Sequence, residues 1–284
     1  MLSIYLGFNL SGPIKSFLSF AFKVWNKLMN MSFNMLIKLP NDIDGMGNIL
    51  NKVNVIFVGV ATSLLVLFFV IGFCQETVDV RDEMRFDSIV KYLVRLCMAE
   101  YFTVNSKEVL TSILKCCKNF CKLLKKYFKK GNAKLSITAT DKKLIEDCGF
   151  GYQILLLMIA FLVGCLLIIM AFSILYATYA RMLKILLLIP FGSLAFSTMG
   201  GGGEVGRVCV SYLKYFMAIA LEAVTISTAL IFGSALMKFG TINLGYKDGW
   251  LVVLEHLISM LFQAAILTGT VKSAEHITRE MIGH

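Results

Sequence analysis

Apolar residues in this chain form long continuous runs, and the length of each run predicts its environment. Two runs contain no charged residue: one extends from Val53 to Phe73 and the other from Phe150 to Tyr176. A helix needs about 20 predominantly apolar residues to cross the hydrocarbon core of a bilayer. Both runs therefore predict membrane-spanning helices.

Four other apolar runs are interrupted. Charged residues fall within 89–104, 210–237 and 250–271, and the run 182–198 contains Pro190. Because proline lacks the backbone N–H and clashes with the preceding turn, we expect a broken or re-entrant helix at Pro190. A strict count gives four spans, and including the charged run 89–104 and the broken run gives six. The alternative for 89–104 is a helix that lies against the membrane or inside a bundle.

A segment near the N-terminus has the periodicity of an amphipathic helix. Within residues 14–36, apolar side chains occupy one helical face and polar ones the other. The apolar set is Phe17, Leu18, Ala21, Val24, Trp25 and Leu28, and the polar set is Lys15, Ser19, Lys23, Lys27, Asn30 and Asn34. The segment has too many lysines to span a bilayer, so we predict a helix at the membrane interface.

Positive charge is concentrated between residues 107 and 147, a segment with eleven lysines and only four acidic residues. The positive-inside rule places this loop in the cytoplasm, and with six spans both chain ends lie there too. Apolar residues recur at helical spacing from Val109 to Phe128, which predicts a basic amphipathic helix. Its lysines are expected to contact anionic lipid or a partner, with nucleic acid as the weaker alternative. These are Lys115, Lys118, Lys122, Lys125, Lys126 and Lys129.

Composition supports a membrane protein. Hydrophobic residues make up 57% of the 284 residues, charged residues 16%, the net charge is +10, and the mean hydropathy is +0.75. We therefore expect an all-α, multi-pass protein of the cytoplasmic membrane with four to six transmembrane helices and additional interfacial helices. The predicted segments are an N-terminal interfacial segment (1–50), a first membrane hairpin (51–106), the lysine-rich loop (107–148) and a C-terminal bundle (149–284).

The residues that enzymes use do not form a recognisable arrangement. The three histidines do not form an H-E-x-x-H motif, and the glycine run lacks the Lys-Ser or Lys-Thr of a phosphate-binding loop. We predict no catalytic residue, cofactor or metal, and reduced cysteines. The glycine run and the proline before it are predicted hinges: Pro190, Gly200, Gly201, Gly202 and Gly203.

One acidic residue lies near the middle of a predicted span. A carboxylate there is costly unless it faces a bundle interior or a water-filled path, so Glu222 is the leading candidate for such a position. Lys214 is the second candidate, although its long side chain is able to reach the interface. The alternative for Glu222 is a packing role through hydrogen bonds to a neighbouring helix. Small residues on the last two spans predict close helix packing: Gly233, Ser234, Ala235, Ala264, Ala265 and Gly269.

Two stretches resemble a known family. LFFVIGFCQETVDVRDEMRFDSIVKYLVRLCMAE at 67–100 and ILLLIPFGSLAFSTMGGGGEVGRVCVSYLKYFMAIALEAV at 185–224 are similar to the TrbL family of conjugal transfer proteins, in the short form of Gram-positive conjugative elements. The similarity extends over most of the chain from about residue 50 onward, and it lies in helix character rather than in an active-site signature.

The resemblance implies a membrane channel or scaffold subunit of a type IV secretion system. Such subunits work as oligomers alongside separate ATPases, and the family supplies no catalytic residues. Contact with translocated DNA is left open. The alternative is a self-contained transporter or channel for a small solute.

Overall fold

The computed structural model describes residues 10–43, 45–79, 86–128, 135–136, 139–147, 149–239 and 249–283. These residues form eight α-helices and no β-strand, which confirms the all-α class. The helices are α1 (Ser11–Ile37), α2 (Met46–Asp79), α3 (Phe86–Val104), α4 (Ser106–Phe128), α5 (Ala139–Asp147), α6 (Phe150–Ser197), α7 (Gly203–Phe239) and α8 (Gly249–Ile282). Short 3-10 turns at Pro40–Asp42 and Thr198–Gly201 precede α2 and α7.

Four of the described helices are long and apolar enough to cross a membrane, which makes this a multi-pass membrane protein. The candidate spans are Met46–Gln75, Gly151–Gly201, Gly203–Leu236 and Gly249–Ile282. The strict count of four made from the sequence is therefore confirmed. The charged helix α3 is not among the four.

The helix interruption predicted at Pro190 does not occur in α6. The helix has 48 residues and continues through Pro190 to Ser197. Proline removes only one backbone hydrogen bond, whereas ending a helix in apolar surroundings leaves several groups without partners. The Ser193 hydroxyl donates to the Pro190 carbonyl oxygen at 2.9 Å. Because α6 is one continuous helix, the broken or re-entrant segment predicted at Pro190 is wrong.

The chain reverses direction at the glycine run instead. After the turn Thr198–Gly201, Gly202 has a φ of +61° and Gly203 has a φ of +44°. L side chains rarely adopt these values, so glycine is the residue suited to both positions. The sequence therefore located the turn correctly, and the hinge motion assigned to it stays a prediction.

The chain divides into two compact units, each built from distant segments. The first combines residues 1–35, 124–178 and 226–273. In it, α1 buries Leu18, Ala21 and Trp25, and the Phe17 ring lies 5.1 Å from that of Phe161 on α6. The amphipathic pattern of α1 is confirmed, but protein rather than lipid covers its apolar face.

Only some of the small residues on the last two spans lie at close helix contacts in the first unit. A Cβ atom at Gly233 on α7 would lie 2.5 Å from a Leu267 methyl carbon on α8, and Ala264 is fully buried. Ala265 and Gly269 are exposed. Gly233 therefore allows the two helices to approach closely.

The second unit combines residues 36–123, 179–225 and 274–284. In its core, Leu110, Leu114 and Cys117 of α4 pack with Ile185 and Phe196 of α6 and with α7 side chains. The apolar face that we expected to enter a bilayer or a partner is therefore largely occupied within the chain. Hydrophobic periodicity identifies a face that must be buried, but it does not identify what buries it.

Helices α2 and α3 form an antiparallel pair in the second unit. Near the end of α2, the Phe73 ring lies 5.9 Å from the Tyr92 ring of α3. Near the start of α2, Asn51 accepts a hydrogen bond from Lys107, directly after α3. The glycine turn packs beside the end of α2, where a side chain at Gly72 would collide with the Gly201 backbone.

Candidate functional site

Five charged side chains from α6, α7 and α8 meet in the second unit, and we call them the charge cluster: Arg181, Lys184, Glu222, Glu275 and Arg279. The charges nearest to Glu222 are the other four members. The cluster contains three cations and two carboxylates. Charged groups in a membrane bundle are expensive and commonly mark functional positions.

Arg181 is the best-anchored member of the cluster. It is 4% exposed, and its guanidinium donates to the backbone carbonyl oxygens of Ile219 at 3.0 Å and Ala220 at 3.3 Å. Guanidinium stays protonated in proteins, so its positive charge is held permanently against α7. No ion pair within the described residues joins Arg181 directly to Glu222.

Glu222 is buried with one oxygen left without a hydrogen-bond partner. The residue is 5% exposed, and no donor in the structure reaches its Oε2 atom. A buried acceptor of this kind favours a proton, a water molecule or a polar group of a passing solute. The sequence predicted the buried position of Glu222 from its location within the span.

Lys184, Glu275 and Arg279 form the more accessible part of the cluster. Lys184 and Glu275 form an ion pair, and Arg279 contacts the other Glu275 oxygen at 2.7 Å. The Arg279 guanidinium also lies 4.8 Å from the centre of the Tyr215 ring and donates to its hydroxyl at 3.2 Å. These contacts join α8 to α6 and α7.

Sequence reasoning missed four of the five members. Arg181 and Lys184 are the only charges between residues 150 and 197, and the sequence alone did not mark them as a site. Two cations in so long an apolar run require partners, and the pair Glu275 and Arg279, one helical turn apart, was available to supply them.

Lys214 does not lie in the bundle interior. Its side chain is exposed, because the eight residues between positions 214 and 222 rotate it by about 80° from Glu222 around the helix. The predicted interior position is therefore wrong for Lys214. A position lining a path between copies of the chain stays a prediction.

The lysines of α4 divide into two groups. Lys118 contacts Asp42 at 2.6 Å and Lys125 contacts Asn34 at 2.5 Å, so both make bonds within the chain. Lys115, Lys122 and Lys126 are exposed. Lys129 lies outside the described residues.

A smaller polar site lies in the first unit. The Nδ1 atom of His256 on α8 lies 2.7 Å from a carboxylate oxygen of Asp141 on α5, and Asp141 is nearly inaccessible to solvent. On the same short helix, the Lys15 ammonium holds the pKa of Glu146 below its usual value. These contacts attach α5 to α8 and α1, which is a structural role.

Metal binding finds no support in the part of the chain that the structure describes, where no three His, Cys, Asp or Glu side chains are grouped suitably. The described cysteines are free thiols.

The fold and the charge cluster define a multi-pass helical membrane protein with ionic groups inside its bundle. No protein-family model, curated protein or solved structure matches the chain.

Proposed function

We propose that this protein is a channel or scaffold subunit of a type IV secretion machine that transfers DNA in conjugation. It resides in the cytoplasmic membrane and performs no catalysis of its own. One observation carries the proposal: the two stretches that resemble the TrbL family, 67–100 and 185–224, pack against each other in the second unit although residues 101–184 separate them.

These stretches are in close contact at the glycine turn and border a common groove farther along. Gly72 on α2 lies against the Gly201 backbone, where a side chain on either residue would prevent the approach. Farther along, Val94 and Met98 of α3 line a groove of about 570 Å³ together with Cys209 and Leu213 of α7. The residues that carry the resemblance therefore form one structural element, as expected if they share a function.

The expected partners follow from what the described residues supply. The glycine run forms a turn between two helices, and the proposal assigns the energy for transport to separate ATPases. The exposed lysines of α4 supply positive charge for anionic lipid or a partner subunit. Assembly as a homo-oligomer would bring several charge clusters together, and contact with translocated DNA is a further proposal.

The deciding experiment deletes the gene from a donor cell and measures both transfer of the mobile element and assembly of the other secretion subunits. We expect transfer to fall to the detection limit and to return when the wild-type gene is supplied. Complementation with Glu222→Gln separates two roles of the protein. Normal assembly with reduced transfer assigns the carboxylate to the transport path, and wild-type transfer assigns it to packing. Undiminished transfer after deletion contradicts the proposal.

A small-solute transporter is the second candidate, and the unpartnered Glu222 oxygen is the observation that favours it. Carboxylates that take up and release protons inside a membrane drive many carriers. Purified protein in liposomes would then transport a solute without any partner, and Glu222→Gln would stop the transport. Liposomes that stay inactive across a panel of ions, sugars and amino acids count against this candidate.

A further inference from the structure

The antiparallel pairing of α2 and α3 has a consequence for how the chain crosses the membrane. Helix α2 carries the most apolar uninterrupted run of the second unit and is a candidate span. Near one end of α3, Tyr92 contacts Phe73 of α2. Just beyond its other end, Lys107 in the first turn of α4 contacts Asn51 of α2. A helix held along the length of a spanning neighbour has to cross the same layer. With 19 residues, α3 is about 28 Å long, close to the thickness of the hydrocarbon core.

The outer face of α3 has the chemistry of a lipid-facing surface. Seven of its large apolar side chains are exposed, and a bilayer would cover them at no cost, whereas water would not. They are Ile89, Val90, Leu93, Val94, Met98, Tyr101 and Val104. The neighbouring face of α2 is exposed and apolar as well, with Val55, Ile56 and Val66 each more than 60% exposed.

Helix α3 carries four charged residues, of which Asp87 lies in the first turn. Lys91 lies in the second turn and Glu100 in the last turn and a half, so both side chains are able to extend toward a membrane surface. Arg95 is half-buried and lies over the Tyr92 ring at 5.6 Å, a cation–π contact that lowers the cost of its burial. Arg95 is the middle residue of the helix, and residues 96–99 beside it are uncharged.

We infer that α3 crosses the membrane antiparallel to α2 and presents its exposed apolar face to lipid acyl chains. The crossing helices among the described residues then number five. The start of α2 and the start of α4 lie on one side of the membrane, and the glycine turn beside Gly72 lies on the other. This inference rests on packing and exposure and is independent of the proposed function.

Native cysteines provide the test. Cys116 on α4 and Cys97 on α3 are exposed, whereas Cys117 is buried and its burial raises the pKa of its thiol. The full-length protein and the variant Glu204→Cys, just beyond the glycine turn, are treated with a membrane-impermeant maleimide in intact cells and in inverted vesicles. Labelled peptides are then identified by mass spectrometry. Arg207→Cys, one turn later on α7, replaces Glu204→Cys if that variant fails to accumulate.

We expect Cys116 and the cysteine introduced at position 204 to react from opposite sides, with Cys117 unlabelled as the internal control. Reaction of both from the same side overturns the inference, because α3 then fails to cross.

A carbene photoprobe dissolved in the bilayer should attach to Met98 and its exposed neighbours but not to the buried Thr103. Absence of the photoprobe from α3 contradicts the contact with acyl chains.

Discussion

Burying Arg181 and Glu222 costs free energy that their neighbours offset only in part. Each charge loses favourable hydration free energy on burial. Hydrogen bonds to the backbone carbonyls of α7 and attraction to the nearby opposite charge offset part of that loss. Removing one member of such a group is more harmful than removing both, because the survivor is left buried without compensation. This asymmetry gives a direct way to show that the two residues act together.

We expect Arg181→Met to lower the free energy of unfolding by about 3 kcal/mol, as for other buried charges that lose their partner. Glu222→Gln keeps the side-chain shape, and Arg181 keeps its hydrogen bonds to the Ile219 and Ala220 carbonyls, so this variant should change stability by less than about 1 kcal/mol. The double variant should be more stable than Arg181→Met alone. Thermal unfolding in mild detergent measures all three. A double variant no more stable than the single one shows that the two residues are uncoupled.

The sequence predicted Glu222 but not the arrangement around it. A carboxylate in the middle of a span is recognisable from position alone. Its neighbours depend on the rotation of α6 and α8 about their axes, which is decided by packing and has no local signature. The exposed position of Lys214 could not be predicted for the same reason, since distance along the span says nothing about which face a residue occupies.

At the scale of elements, glycine decides where helices approach one another. Gly72 on α2 lies against the backbone of the turn, whereas Gly59 on the same helix has open space around its Cα. Both lie inside a helix, where alanine is intrinsically preferred. The two positions therefore form a matched pair for testing the contact.

Gly72→Ala should destabilise the protein, because the added methyl group collides with the Gly201 carbonyl and either α2 or the turn has to move. Gly59→Ala should leave stability unchanged or raise it by up to about 1 kcal/mol. Unfolding in detergent compares the two variants. Equal stability of the two would show that α2 does not depend on the glycine turn.

The turn before α2 is attached to α4 by one ionic contact. Asp42 accepts hydrogen bonds from the Lys118 ammonium at 2.6 Å and from the Leu39 backbone N–H at 3.0 Å. The Lys118 hydrogen bond is the main cause that lowers the pKa of Asp42 below its usual value of 3.8. A carboxylate with a lowered pKa stabilises the fold above its unfolded pKa and loses this effect as the pH falls through the folded one.

Asp42→Asn should therefore reduce stability slightly at neutral pH, by less than about 1 kcal/mol because the Asp42 side chain is exposed to solvent. The difference from wild type should disappear as the pH falls below 3.8. Melting temperatures of both proteins across a pH series provide the measurement. A difference that persists at the acid end would assign the role of Asp42 to shape rather than charge.

The amphipathic patterns predicted correctly which helix faces are buried, but they did not predict what buries them. The patterns of α1 and α4 located their buried faces from the sequence, yet the burial is achieved by other helices of the chain. The expected break at Pro190 failed because one missing backbone bond is a small loss in a helix of this length. Local rules therefore predicted the elements, and tertiary packing decided their surroundings.

At the scale of the whole molecule, attachment to the membrane rests on apolar spans rather than on the positive charge of α4. The spans bury apolar surface in lipid, whereas surface lysines contribute only a screened attraction. Wild-type protein should therefore stay with the membrane after an alkaline carbonate wash.

The variant Lys115→Gln/Lys122→Gln/Lys126→Gln should stay there too. Immunoblots of pellet and supernatant provide the measurement. Release of either protein into the supernatant would contradict the multi-pass architecture.

The length of α6 bears on how the protein has to be handled. Exposed apolar side chains occur from Met158 to Phe191, a distance of about 50 Å along the helix axis. Even at the upper end of the usual tilt range, a bilayer covers only about 40 Å of a helix. Part of this exposed apolar surface therefore lies outside the hydrocarbon core, where it promotes aggregation, so the isolated chain should require detergent throughout its purification.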